Sequence, residues 1–214
     1  MDINKGINHL RLSDPLLAEV IDTYPPPALK RTNNLFESLL KYIVYQQLST
    51  SSASAIFKRF KNYFTSSKIS SKNILSSTSV DFKSLGLSKQ KIEYIFSLAH
   101  AWPTLSKKLK DIDNLSDKEI GKVLTPLKGI GPWTVDMFLI FSLARPDVLP
   151  VGDLVIKKGY AQLYAMKQLP SEVEMIKIAE KWRPFRTLAS LYLWDMIDGP
   201  FECCLLYTSD AADE

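Results

Sequence analysis

Asp153 stands in the run Val148-Leu-Pro-Val-Gly-Asp153, followed by Leu154, Val155, Ile156, Lys157 and Lys158. It comes just after Pro150 and Gly152 and opens an apolar helical stretch, the place of a helix N-cap. A helix N-terminus keeps a carboxylate ionised, and a carboxylate held there can steady positive charge developing on a bound molecule. Capping alone also accounts for an aspartate at such a site. Upstream, residues 127–138 read Leu-Lys-Gly-Ile-Gly-Pro-Trp-Thr-Val-Asp-Met-Phe. A helix is expected to end near Leu127, and Gly129-Ile130-Gly131 to turn tightly, with both glycines free to take φ > 0. Pro132 then opens the next helix. The N–H groups at that helix start make an anion site, which for a nucleic acid means a backbone phosphate. An ordinary αα-hairpin with a glycine turn gives the same pattern.

Helices must position these residues, because nearly every other segment reads as one. Asp14 followed by Pro15 caps a short apolar helix that runs through Ile21, and Pro25-Pro26-Pro27 breaks the chain. Leu35, Leu39, Ile43 and Val44 recur at helical spacing, and so do Ala53, Ile56, Phe57, Phe60 and Phe64. The stretch from Lys61 to Asp81 is rich in Ser and Lys and reads as a surface loop. Ser88 caps a helix carrying Ile92, Ile95, Phe96 and Ala99. Ser116 with Glu119, and Ser171 with Glu174, form capping boxes. Pro184 is placed to start the last helix, whose apolar positions include Leu188, Leu191 and Trp194. No run alternates with period two long enough to be a strand, so the expected class is all-α.

With 46% hydrophobic residues the chain can bury a real core, as one domain or two small subdomains. The net charge of +4 fits a polyanionic partner without requiring one. No apolar run is long enough for a membrane span, and the start, Met1-Asp2-Ile3-Asn4-Lys5, lacks the order of a secretory signal. Cys203 and Cys204 are adjacent, and no Cys/His cluster suits zinc or an iron–sulfur centre. The expectation is therefore no metal, no cofactor and a reducing compartment, cytoplasm or, in a eukaryote, nucleus. His9 and His100 have no partners in sequence. Residues 204–214 resemble a translated sequencing adaptor and are set apart from a domain spanning residues 1–203, whose C-terminus is expected to be truncated. Without that tail the charges are 27 basic against 20 acidic, a net +7.

The glycine hairpin, followed about two dozen residues later by Pro150-x-x-Asp153, resembles the helix-hairpin-helix DNA glycosylases. Three further segments are similar to the branch of that superfamily that removes alkylated bases, the 3-methyladenine DNA glycosylase II type. They are Ile43-Val-Tyr-Gln-Gln-Leu-Ser49; Leu87-Ser88 with Lys91, Tyr94 and Leu98-Ala99; and Ala179-Glu-Lys-Trp-Arg-Pro-Phe-Arg186. The resemblance runs in order from about Leu35 to Asp198. It implies two packed helical subdomains with the hairpin and Asp153 at the cleft between them. The implied activity is hydrolysis of the N-glycosidic bond of alkylated purines in double-stranded DNA, by a monomer that flips the damaged nucleotide out of the stack.

The same resemblance implies residue roles. Asp153 is the catalytic carboxylate, beside a sugar that becomes oxocarbenium-like and a water that it helps orient. Lys128, Gly129, Ile130, Gly131 and Thr134 hold the DNA backbone, and Gln47 fills the gap left by the flipped nucleotide; Gln46 bonds backbone inside its own loop. Trp133 and Trp182 line the base pocket, where an aromatic face attracts a cationic purine. Met137 stands where the bacterial enzyme has a tyrosine, a departure that bears on substrate preference. Trp133 also occupies the position at which bifunctional members carry a Schiff-base lysine, and an indole cannot be that nucleophile. Lys157 and Lys158 either face phosphates or are simply solvated. The rivals are a helix-hairpin-helix glycosylase for uracil or an oxidised purine, and a non-catalytic DNA-binding module, which would need no carboxylate at position 153.

Overall fold

The computed structural model describes residues 2–64 and 68–199. Cys203, Cys204 and the tail of residues 204–214 lie outside the described residues. Among the described residues the regular structure is helical, with no strand, as the missing period-two pattern required. The described residues divide into two compact units, one of residues 2–31 with 139–199 and the other Thr32–Phe138.

The first unit contains α1 (Ile3–Ser13), α2 (Pro15–Thr23), α10 (Leu154–Leu163), α11 (Glu172–Ala179) and α12 (Arg186–Asp198). Its centre is α12. Every residue from Thr187 to Trp194 is buried, so this helix has no polar face and must be surrounded. α1, α2 and α10 pack on it. Gly159 of α10 allows the closest approach, since a Cβ there would meet Leu193 at 3.0 Å. α1 was not foreseen. Asp2 caps it, and Gly6, Ile7 and Leu10 form its buried face.

The second unit contains α3 (Leu35–Tyr45), α4 (Thr50–Tyr63), α5 (Ser71–Leu75), α6 (Ser79–Ser84), α7 (Lys89–Lys108), α8 (Asp117–Leu124) and α9 (Pro132–Met137). α3 is buried from Phe36 through Val44, apart from half-buried Glu37. It packs against α4, α7 and α9. Phe57, Phe60, Phe64, Phe82 and Phe96 form a chain of ring contacts beside it.

Two expectations about elements need correction. The Ser/Lys-rich stretch from Lys61 to Asp81 is not a loop throughout. It holds the end of α4, then α5 and the start of α6, capped by Ser70 and Thr78. Ser70 and Thr78 act as caps, and one buried side chain per helix, Ile74 and Phe82, is enough to dock each. Pro184 does not start the last helix. It follows a cis Arg183–Pro184 peptide, and the helix begins at Arg186. The Ser116–Glu119 and Ser171–Glu174 capping boxes are both formed.

Candidate functional site

In the first unit, α12 holds the segment that delivers Asp153. Thr187 Oγ1 donates to the Arg145 carbonyl at 2.6 Å and accepts the Val148 N–H at 3.0 Å. Arg186 Nε donates to Asp147 Oδ1 at 2.7 Å and Nη2 to the Asp147 carbonyl at 2.7 Å. Further along α12, Trp194 Nε1 donates to Asp153 Oδ1 at 3.2 Å. Asp153 is the N-cap of α10, and its Oδ1 also accepts the Ile156 N–H at 3.0 Å. The carboxylate therefore sits at the positive end of a helix dipole, fixed by a backbone donor and an indole. It is 8% exposed, so its charge acts in a partly desolvated setting where electrostatic effects are stronger than in water.

Sequence reading missed Trp194 as a site residue. It had only the signature of an apolar position on a buried helix, and its contact spans 41 residues.

In the second unit, α8 ends at Leu124 and a turn follows. Gly129 has φ +86°, which a glycine supplies without strain. Its α-carbon lies on the Tyr94 ring, so that a Cβ would come within 2.2 Å of Tyr94 Cγ. Gly131 differs from expectation. At φ −98° and ψ −179° it is extended backbone that any residue adopts, and a Cβ there meets nothing within 4 Å. The Ile130 N–H donates to the Leu127 carbonyl at 3.0 Å and its side chain is buried, so Ile130 holds the turn and is withdrawn from the phosphate donors. Gly129→Ala is expected to destabilise the fold by about 2–4 kcal/mol, from the left-handed backbone plus overpacking on Tyr94. Gly131→Ala is expected to be close to neutral. Urea unfolding midpoints of the two variants check this, and equal midpoints would contradict it.

Gln46 does not bond inside its own loop. Its Nε2 donates to the Gly129 carbonyl at 2.7 Å and to Thr134 Oγ1 at 2.9 Å, tying the end of α3 to both sides of the hairpin. Thr134 is buried and serves that tie. Gln47 is exposed and has φ +55°. A glutamine rarely adopts that backbone, and such strain persists where the surroundings impose it. Lys128 is exposed and its Nζ pairs with Glu93 Oε2 at 2.9 Å; that hydrogen bond and charge hold the lysine above its usual pKa.

The three expected pocket residues fare differently. Trp133, on α9, is half-buried and keeps open surface. Met137 is packed away at 3% exposure. Trp182 is fully buried, its Nε1 donates to Asp14 Oδ2 at 2.8 Å, and its ring packs on Tyr160. The geometry thus gives Trp182 a core role in place of the expected pocket-lining one. Among the described residues no group of His, Cys, Asp and Glu could hold a metal ion, and no helix is long and apolar enough to cross a membrane.

Residues 40–184 match the family model described as HhH-GPD superfamily base excision DNA repair protein. The chain is 35% identical over 182 residues to DNA-3-methyladenine glycosylase 1 of Schizosaccharomyces pombe, covering 83% of this chain and 79% of that protein. The solved structure of the S. pombe 3-methyladenine DNA glycosylase in complex with abasic DNA superposes with a TM-score of 0.80 at 34% identity, over 89% of this chain and 95% of that one. The crystal structure of a DNA-3-methyladenine glycosidase from Bacillus halodurans superposes with a TM-score of 0.75 at 30% identity, over 90% and 88%.

Proposed function

The chain belongs to the HhH-GPD superfamily of base excision DNA repair proteins, and from that membership we propose that it is a monofunctional DNA glycosylase that removes alkylated purines of the 3-methyladenine type. The observation that carries the reading is the seat of Asp153, a carboxylate capping α10 and fixed by Trp194. The names of the relatives support the substrate class, and the abasic DNA bound by the S. pombe enzyme supports duplex DNA as the partner.

In this mechanism the bond from C1′ to the purine nitrogen breaks and its electron pair goes to the base, which neutralises the positive charge that alkylation placed there. The sugar becomes oxocarbenium-like and Asp153 stabilises it across a short distance. Water bonds to C1′, loses a proton to solvent, and leaves free base and an abasic strand. The leaving group is already activated, so one charged residue suffices and no paired acid is needed. The Gly129 turn and Lys128 hold phosphates, Lys128 by exchanging Glu93 for DNA, and Gln47 enters the vacated stack. Trp133 supplies the aromatic face.

Methylated duplex DNA incubated with the protein is expected to release base and leave intact strands that break only on alkali treatment. Borohydride, which would reduce any imine to a stable cross-link, is expected to trap nothing, because Trp133 stands where lyases need an amine. No base release refutes the glycosylase reading, and a trapped species that depends on Lys128 refutes the monofunctional one.

A further inference from the structure

Lys91 has an unusual place for a lysine. Its Nζ donates to the Val44 carbonyl at 2.7 Å, 47 residues away in sequence. Val44 lies in the last turn of α3, where carbonyls lack intrahelical partners and the dipole favours a cation. The Gln46 N–H takes the Tyr42 carbonyl and the Leu48 N–H takes that of Tyr45. Lys91 takes Val44 between them. Its side chain is half-buried, and that burial pushes the amine below the usual lysine range. A solvated surface lysine would show neither feature.

The first two turns of α7 thus support two pieces of the same unit. Lys91 holds the end of α3, from which Gln47 projects at φ +55°. Tyr94, one turn on, lies against Gly129 of the hairpin, and Glu93 holds Lys128. Gln46 closes the circuit between α3 and the hairpin.

We propose that Lys91 is a positioning residue for Gln47, clamping the last turn of α3 so that the strained backbone at Gln47 presents its side chain to the gap in the duplex. The proposal rests on the reading of Gln47 as the stack-filling residue. Without the ammonium, the α3 terminus can unwind and Gln47 can relax toward ordinary backbone angles. The duplex would still bind through the hairpin, but the flipped state would lose its support. Lys91→Arg keeps a charged donor and is the conservative rescue.

Two assays separate this from a general loss of structure. The first places 2-aminopurine opposite a tetrahydrofuran abasic analogue and follows its fluorescence on binding, which needs no catalysis. Lys91→Met is expected to lose the wild-type signal as Gln47→Ala does, with its unfolding midpoint recorded alongside, and Lys91→Arg to restore it. The second compares base release from a paired lesion with release from the same lesion in an unpaired bulge, where no stack must be held open. Lys91→Met is expected to fall about tenfold on the paired substrate, roughly 1.4 kcal/mol of barrier, and to match wild type on the bulge. Equal losses on both substrates, or a wild-type fluorescence signal in either Lys91→Met or Gln47→Ala, overturn the proposal. A wild-type protein that releases no base from either substrate refutes the glycosylase reading instead, and leaves the fluorescence arm to judge Lys91.

Discussion

Asp153→Asn is expected to slow single-turnover base release by about 10³-fold, the scale seen when one preorganised electrostatic group is removed from a transition state. Duplex affinity and the unfolding midpoint should stay near those of the parent. The amide oxygen can still accept the Ile156 N–H and the Trp194 Nε1–H, so the cap of α10 and the anchor to α12 both survive. Only the charge is lost, and the charge matters only when the sugar becomes cationic. Rapid-quench excision on methylated duplex, with binding to an abasic-analogue duplex measured in parallel, checks the split. Activity within about tenfold of the parent would remove Asp153 from the chemistry. An equal loss in binding would instead make it a structural cap.

Asp153 and the glycine turn were legible because their signals are local: a cap residue before an apolar run, and glycines between two helical patterns. What surrounds them was not. Trp182 and Trp194 stand on either side of the start of the last helix, and nothing in their spacing says which reaches Asp153 and which reaches Asp14. Only the packing of α12 against α10 decides that it is Trp194. Gln46 and Gln47 are neighbours of the same type. One is turned to the hairpin 83 residues away and the other is exposed, a choice set by a positive φ that a single sequence does not display. Lys91 was visible only as part of a segment similar to the family's, and its bond to Val44, 47 residues away, has no sign in sequence. Composition misled at residues 61–81, where polar residues cap short helices that are each docked by one buried apolar side chain.

The largest stability effect is expected at Asp14, far in sequence from the proposed chemistry. It is 1% exposed and caps α2. Its carboxylate accepts Trp182 Nε1–H at 2.8 Å, the Tyr164 hydroxyl, and Lys181 Nζ at 3.0 Å. Asp14→Ala strands two polar groups away from their acceptor and removes a helix cap, at a cost of about 3–5 kcal/mol. Lys181 is exposed enough to turn to water and adds little.

The pH dependence at Asp14 has a definite sign. Burial alone would raise its pKa, but the hydrogen bonds from Tyr164, Trp182 and Lys181 and the Lys181 charge outweigh it, leaving the group below its ordinary 3.8. A depressed carboxylate contributes stability that is fully present above the unfolded value and lost as pH falls through the folded one. The stability gap between wild type and Asp14→Ala should therefore be constant near neutrality and shrink only below about pH 4. Urea titrations at neutral and acidic pH measure it, and a gap that widens on acidification would reverse the assignment.

The first unit is built from both ends of the described chain, with the whole of Thr32–Phe138 threaded between them. On the ribosome this sets an order of events. α1 and α2 emerge first, but their docking surface is α12, which is made last among the described helices. Asp14 waits for Trp182, made just before α12, and Asp153 waits for Trp194 within it. The Thr32–Phe138 unit has no such dependence, since its own contacts are complete once Phe138 has been added. The Gly129 turn and the Gln47 backbone can thus be complete before Trp194 exists to bond Asp153, so for a time the hairpin unit stands folded while that carboxylate has only its own helix to hold it.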